Sequence, residues 1–414
     1  MQNNAFSKIW LIIVFIILIG VGILIYQYLG IPKEKVRTPG AEIPEKVEET
    51  GLNLTTTKLT IIPNIYKTVP GTPGYLGIPV FSSNGRKVVY AAEKNGKWLV
   101  VFGDKEGKAY YSIMGPVISS DGKQVAYGAQ EKENGNWFIV VGNKGGGAYK
   151  NYVTDIIISP DGKQVAYVGG KEGKDCIVVG DKEGKCYDGI VWPVFAPDSR
   201  QIAYVATKEG KNSIVIDGQE GKLYDLIRIP TFSPDSKHLA YPVRKEGKWF
   251  VVIDDKEGIK SYDMIGNIVF GPDSQQIAYW AKREGKWFLV IDDEEMKNYY
   301  DSTGDISFSA DGKQIAYKAG KGEKNLVVTG EKEGKLYDYI AMNSLIFTPD
   351  SKQVAYSARK EGKWFIVLGE KEGKVYDWVS GPVFSPDGKY IAYGSRIGNE
   401  LWWIVDKVEE FGKE

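Results

Sequence analysis

Beyond its first sixty residues the chain is written in short apolar runs, each closed by Gly, Asp, Asn, Ser or Pro, as in QIAYVATKEGKNSIVIDG at 201–218. Runs this short, rich in β-branched and aromatic residues and punctuated by turn formers, predict strands and tight turns and leave no room for helices. One stretch breaks the pattern: residues 9–29 are almost wholly apolar and carry no charge. About 20 such residues cross a bilayer as a helix. The glycines fall inside the run and no lipidatable Cys follows it, so the segment reads as an uncleaved anchor occupying residues 1–30. Residues 31–56 mix Pro, Lys, Glu and Thr with few large apolar side chains, a composition that cannot bury enough surface to fold, and read as a disordered linker. The β-rich part is then 57–414.

Aligning the chain on itself reveals one ten-residue signature, FSPDGKYIAY at 384–393 and FAPDSRQIAY at 195–204, repeated nine times at spacings of 37 to 40 residues. The closing tyrosines are Tyr90, Tyr127, Tyr167, Tyr204, Tyr241, Tyr279, Tyr317, Tyr356 and Tyr393. A fixed period of this size marks a solenoid, propeller or array. Each unit divides into four short strands. In the unit opening at Pro193 these are expected at 193–195, 201–207, 213–217 and 223–225, with turns at Pro197-Asp198-Ser199, Lys208-Glu209-Gly210-Lys211 and Gln219-Glu220-Gly221-Lys222. Four strands per unit and no helix describe a propeller blade, so the fold class is all-β: a single β-propeller of about nine four-stranded blades, preceded by one N-terminal transmembrane helix. Nine exceeds the usual four to eight, which keeps an eight-bladed ring with one displaced unit, or an open spiral, as the alternative. The last unit stops after three strands, and residues 58–69, rich in β-branched side chains, are the segment expected to complete it and close the ring.

The signature F-S-P-D-G-K-x-I-A-Y resembles the repeats of TolB-like propellers, a WD40-like branch. Residues 232–235 and 384–388 match it closely, whereas Ser83-Asn84-Gly85 and Ala310-Asp311-Gly312 depart from it. The resemblance implies a propeller outside the bacterial cytoplasm that acts through protein contacts, or the non-catalytic half of a serine peptidase. A second likeness, to WG-type repeats, lies in Gly-Lys-Trp-Phe followed by Tyr-Asp, as at 247–250 and 262–263. Orientation from charge points the other way, because Lys33, Lys35 and Arg37 outnumber Lys8 around the apolar run. A large following domain weakens that rule, and the resemblance favours a single-pass protein of the cell membrane with an extracytoplasmic propeller.

Composition narrows the function. Lys+Arg and Asp+Glu both number 53, so no net field draws in nucleic acid. No G-x-S-x-G elbow occurs, and the single His238 stands where other units have Gln124, Gln164 and Gln314, as a solvent-facing strand residue. No catalytic residues, metal ligands or cofactor site are expected. Asp254-Asp255 and 292–295 read as turn carboxylates, the KEGK segments as solubilising turns, and the tryptophans Trp98, Trp137, Trp249, Trp287 and Trp364 as one repeated core position. Cys176 and Cys186 fall in one hairpin, with Cys186 expected opposite Val179 or Gly180; that register keeps them as two buried thiols. Variation within the fixed frame concentrates after each Tyr-Asp pair, at Trp192, Arg228, Asn267, Asp305, Asn343 and Trp378. These connectors are the candidate binding residues. The sequence therefore reads as a monomeric, non-catalytic binding or scaffold module, tethered to the membrane, for a protein, peptide or glycan partner; the alternatives are an enzyme with an unfamiliar site at the channel mouth and a purely structural envelope protein.

Overall fold

The computed structural model describes residues 57–61, 80–82, 87–385, 387–398 and 400–412. The expected anchor and linker lie outside them; among the described residues no helix is long and apolar enough to cross a membrane.

The described strands form nine separate antiparallel sheets, each built on four successive strand positions, which is a nine-bladed β-propeller. Blade four shows the plan: Gly189–Phe195 is innermost, followed outward by Ile202–Lys208, Lys211–Ile216 and Gln219–Tyr224. All four ranges differ from the sequence reading: the innermost strand starts four residues earlier, the second is shifted by one residue, the third starts two residues earlier and ends one earlier, and the outermost starts four residues earlier. The outer hairpin turns at Asp217-Gly218, both left-handed at φ 48° and 86°, so the segment expected as a turn is itself the fourth strand. Two left-handed residues make the tight turn that matches strand twist. Asp254-Asp255 and Asp292-Asp293 occupy the same position at φ 47–65°, as expected of turn carboxylates.

The ring closes where the sequence reading placed the seam, with a shorter strand. Thr57–Ile61 pairs antiparallel with Glu400–Lys407, Thr57 opposite Trp403 and Ile61 opposite Glu400, and so becomes the outer strand of blade nine. Residues 62–69 of the expected segment lie outside the described ones. Leu401 of blade nine is fully buried against Val88, Tyr90 and Leu99 of blade one, which joins the last blade to the first.

Each of the nine junctions between neighbouring blades holds its own apolar cluster. The signature tyrosines belong to these clusters, and seven of them meet edge-to-face a tyrosine from the outer edge of the preceding blade, as in Tyr279 with Tyr262 at 6.1 Å. Of the repeated tryptophans, Trp249 and Trp364 are buried, while Trp98, Trp137 and Trp287 are half-buried.

Polar residues tie the blades as regularly. The Tyr224 hydroxyl donates to Glu257 of blade five at 3.0 Å, and Glu257 also pairs with Lys245. Asp225 accepts from the Glu246 N–H of that blade at 3.0 Å and pairs with Lys211 of its own. The same Tyr-to-Glu bond recurs from Tyr149, Tyr187, Tyr262, Tyr300 and Tyr337. This corrects the reading of the KEGK segments as merely solubilising: their glutamates hold one blade to the next.

The signature turn is a local device of the same kind. Ser233 donates its hydroxyl to Asp235 at 2.6 Å, and Asp235 accepts the Lys237 N–H at 3.1 Å. These bonds hold the Asp235 carboxyl down to about 2, the Ser233 hydroxyl contributing most. Asp121 is held equally low by Ser119, and Asp161, Asp311 and Asp387 lie below their ordinary value for the same cause. A carboxyl depressed in the folded state stabilises it fully above the unfolded value of about 3.9, and that contribution is lost as pH falls toward 2. Circular dichroism should therefore show stability falling between about pH 4 and pH 2, with a smaller fall in Asp235→Asn; identical acid profiles for the two proteins would remove the turn carboxylates from the account.

Candidate functional site: the bulged inner strands

Four of the six candidate connector residues are not in loops. Only one residue separates the outer strand of blade four, ending at Tyr224, from the inner strand of blade five, beginning at Leu226. Trp192, Asn267, Asp305 and Trp378 sit in the innermost strands, which by sheet order line the ring's axis, and Arg228 and Asn343 in the breaks that interrupt theirs. In blades two, three, four, six and seven the inner strand is continuous but shifts register in its middle, between Val191 and Val194 in blade four and between Ile265 and Ile268 in blade six. Blades five, eight and nine break it into two short strands. An unpaired bulge residue owes nothing to the ladder, so its identity is free to vary while the frame stays fixed.

The six candidates divide by what they touch. Trp192 stands in the blade-four bulge at φ 54° and is 37% exposed. Asn267 is also an exposed bulge residue, and Asn343, at φ 56°, is exposed in the turn that breaks the inner strand of blade eight. Arg228, by contrast, is engaged within the frame: its guanidinium donates to the Ile265 carbonyl of blade six at 3.4 Å and lies 5.9 Å from the Trp249 ring. Asp305 accepts the Ser344 N–H of blade eight at 3.1 Å. Trp378 is half-buried in the inner strand of blade nine, opposite Arg396. The structure thus places five of the six at the bulges or breaks of successive inner strands and Trp378 at the start of the next, and leaves Trp192, Asn267 and Asn343 most open to solvent.

Three further residues stand at the bulges or breaks of inner strands, and a fourth, Lys318, approaches from the second strand of blade seven. Ile229 and Met342 are exposed at 47% and 67%, and Asp155 is the exposed bulge residue of blade three at φ 48°. Lys318 is buried, donates to the Ile340 carbonyl at 2.6 Å and lies 4.7 Å from the Tyr339 ring. Burial pulls its amine down while Asp305 pushes it up. A signal for it was present in the repeats: the residue after the signature tyrosine is Ala, Gly, Val, Pro, Trp or Ser in the other blades, and Lys only here.

His238 sets its Nδ1 2.6 Å from Asp254, a turn carboxylate in the same blade. Among the described residues the one cluster of metal-type ligands is Cys176, Glu183 and Cys186, and its two sulfurs are joined as a disulfide. This overturns the expectation of two free thiols. Because the hairpin turns at Gly180-Asp181, ahead of the KEGK segment, and then bulges between Cys176 and Val178, Cys186 falls directly opposite Cys176, with Cα atoms 4.1 Å apart.

No protein-family model matches the chain, nor does any curated protein sequence. Among solved structures it is similar to a eukaryotic initiation factor, at 10% identity over 80% of this chain and 88% of the other, with a TM-score of 0.46. It is also similar to the β-propeller domain of the trilobed protease from Pyrococcus furiosus, at 18% identity over 64% of this chain and 96% of the other, TM-score 0.37. A third is TolB from Acinetobacter baumannii, at 16% identity over 72% and 79%, TM-score 0.32. The propeller assignment rests on the sheet order and the closure of the ring.

Proposed function

We propose that the chain is a membrane-anchored, non-catalytic propeller that presents the bulges of its inner strands to a protein, peptide or glycan partner outside the cytoplasm. The observation that carries this reading is Trp192. A bulky aromatic residue in the left-handed region is disfavoured, and the equivalent bulge of blade two meets the same backbone demand with Gly115 at φ 50°. A strained, exposed tryptophan in a frame that accepts glycine suggests selection for contact. Photo-crosslinking groups placed at Trp192 and Met342 in the full chain should capture a partner from cell envelopes, whereas a group at Lys163 on a signature turn should not. Equal capture from all three positions, or none from the first two, counts against the reading.

The disulfide supports the location, since such bonds persist in oxidising compartments and are rare in the cytosol. The likeness of the signature to TolB-like repeats agrees with it. Protease added to intact cells should release a fragment of about 40 kDa, the share of the 46.0 kDa chain beyond the linker. Alkylation of the same cells before and after reduction should find both cysteines protected until reduced. Full protection from protease until lysis, with both thiols free, places the propeller in the cytoplasm.

A further inference from the structure

The inner-strand bulges of blades three to five carry a combination that the frame does not require. Asp155 is exposed in the Val153–Ile158 strand, and among the described residues it has no ion-pair partner. A second carboxylate, Asp175, lies close by, accepting the Tyr152 hydroxyl with one oxygen and the Ile190 N–H at 3.0 Å with the other. Desolvation, with a smaller push from the Asp175 charge, raises the Asp155 carboxyl against a hydrogen bond from the Thr154 side chain, and no cation takes part. In blade seven the comparable Asp305 is compensated by Lys318 and bound by the Ser344 N–H. The next two blades beside Asp155 supply exposed apolar surface: Val191 at 39%, Trp192 at 37% and Ile229 at 47%.

We infer that these three bulges dock a protein segment bearing a lysine or arginine beside an apolar residue. The cation meets Asp155 and the Trp192 ring, the arrangement in which carboxylate and aromatic face both attract it. The apolar neighbour covers Val191 and Ile229. An uncompensated carboxylate repels acidic segments and gives a neutral glycan little, so charge complementarity selects the basic peptide among the partner classes. The inference rests on the binding-module reading and narrows it.

The test uses the full chain in detergent and two labelled peptides, acetyl-Lys-Leu-Lys-Leu-amide and its Glu-Leu-Glu-Leu counterpart, followed by fluorescence anisotropy. The basic peptide should bind at least about tenfold tighter than the acidic one, and more weakly as salt rises from about 0.05 to about 0.3 M. Asp155→Asn and Trp192→Gly should each weaken it about tenfold. Trp192→Gly should melt no lower than the parent, because glycine relieves the left-handed strain, so its loss of binding is not a loss of folding. Equal binding of both peptides, or unchanged binding in both variants, overturns the inference. Chitotetraose binding that needs Trp192 and ignores Asp155 overturns it in favour of a glycan. If neither peptide binds the inference falls alone, and the envelope cross-linking experiment decides the broader reading separately.

Discussion

A chain beginning at Thr72 should melt well below one beginning at Asn53 and should associate, because it lacks the strand that completes blade nine. In the closed ring Thr57–Ile61 covers the edge of Glu400–Lys407. Without it that edge, which includes Trp402 and Trp403, offers an unpaired row of N–H and C=O groups to any other chain. Leu401, fully buried at the junction with blade one, loses the strand paired beside it. The loss should be on the order of several kcal/mol, a large share of the 5–15 kcal/mol that holds a typical domain folded. Size-exclusion chromatography with light scattering reads the association, and thermal unfolding reads the stability. Equal melting and a monomeric shorter chain would falsify closure by this strand.

The second large effect is expected at the junction of blades five and six. Tyr262 is 2% exposed, meets Tyr279 and Phe288 edge-to-face, and donates to Glu295 across the junction. Tyr262→Ala removes a large buried ring and should cost about 3–5 kcal/mol. Tyr262→Phe keeps the ring and loses only the bond; Glu295 keeps Arg283 as its partner, so the cost should be near 1 kcal/mol. Denaturant unfolding of the two variants separates packing from the polar tie. If Phe destabilises as much as Ala, the hydroxyl-to-glutamate bond outweighs the apolar cluster, and packing is the lesser of the two forces at this junction.

What could be read from the sequence and what could not follows the range of each interaction. The nine signatures were legible because the Ser233–Asp235 turn closes within a few residues and leaves its demand written locally. The Tyr224–Glu257 tie was not, because its partners lie 33 residues apart and meet only when blades stack. The expected turn at 208–211 is there, at Glu209-Gly210, but the outer segment 219–222 only looked like one because it holds glycine between charges; the actual turn, Asp217-Gly218, stands just before it. That shift also misplaced Cys186 and hid the disulfide.

The candidate site was legible as variation, not as chemistry. Trp192, Asn267 and Asn343 were found because the repeats differ there, and they are exposed. Arg228 and Asp305 differ for another reason, serving as bridges to the next blade. Asp155 passed unnoticed because its blade has Lys150 where others have the Asp that follows the outer-strand tyrosine, which blurs the alignment at that point.

The functional reading depends on a closed ring, and one cross-link tests that directly. Lys58 and Trp402 are register partners across the seam. Replacing both by cysteine in the full chain and oxidising it should give an intramolecular disulfide in the monomer, seen by mass spectrometry as a peptide joining the two ends, beside the native Cys176–Cys186 pair. Only intermolecular dimers, or no new bond under conditions that preserve the native one, would mean that the blades form an open array.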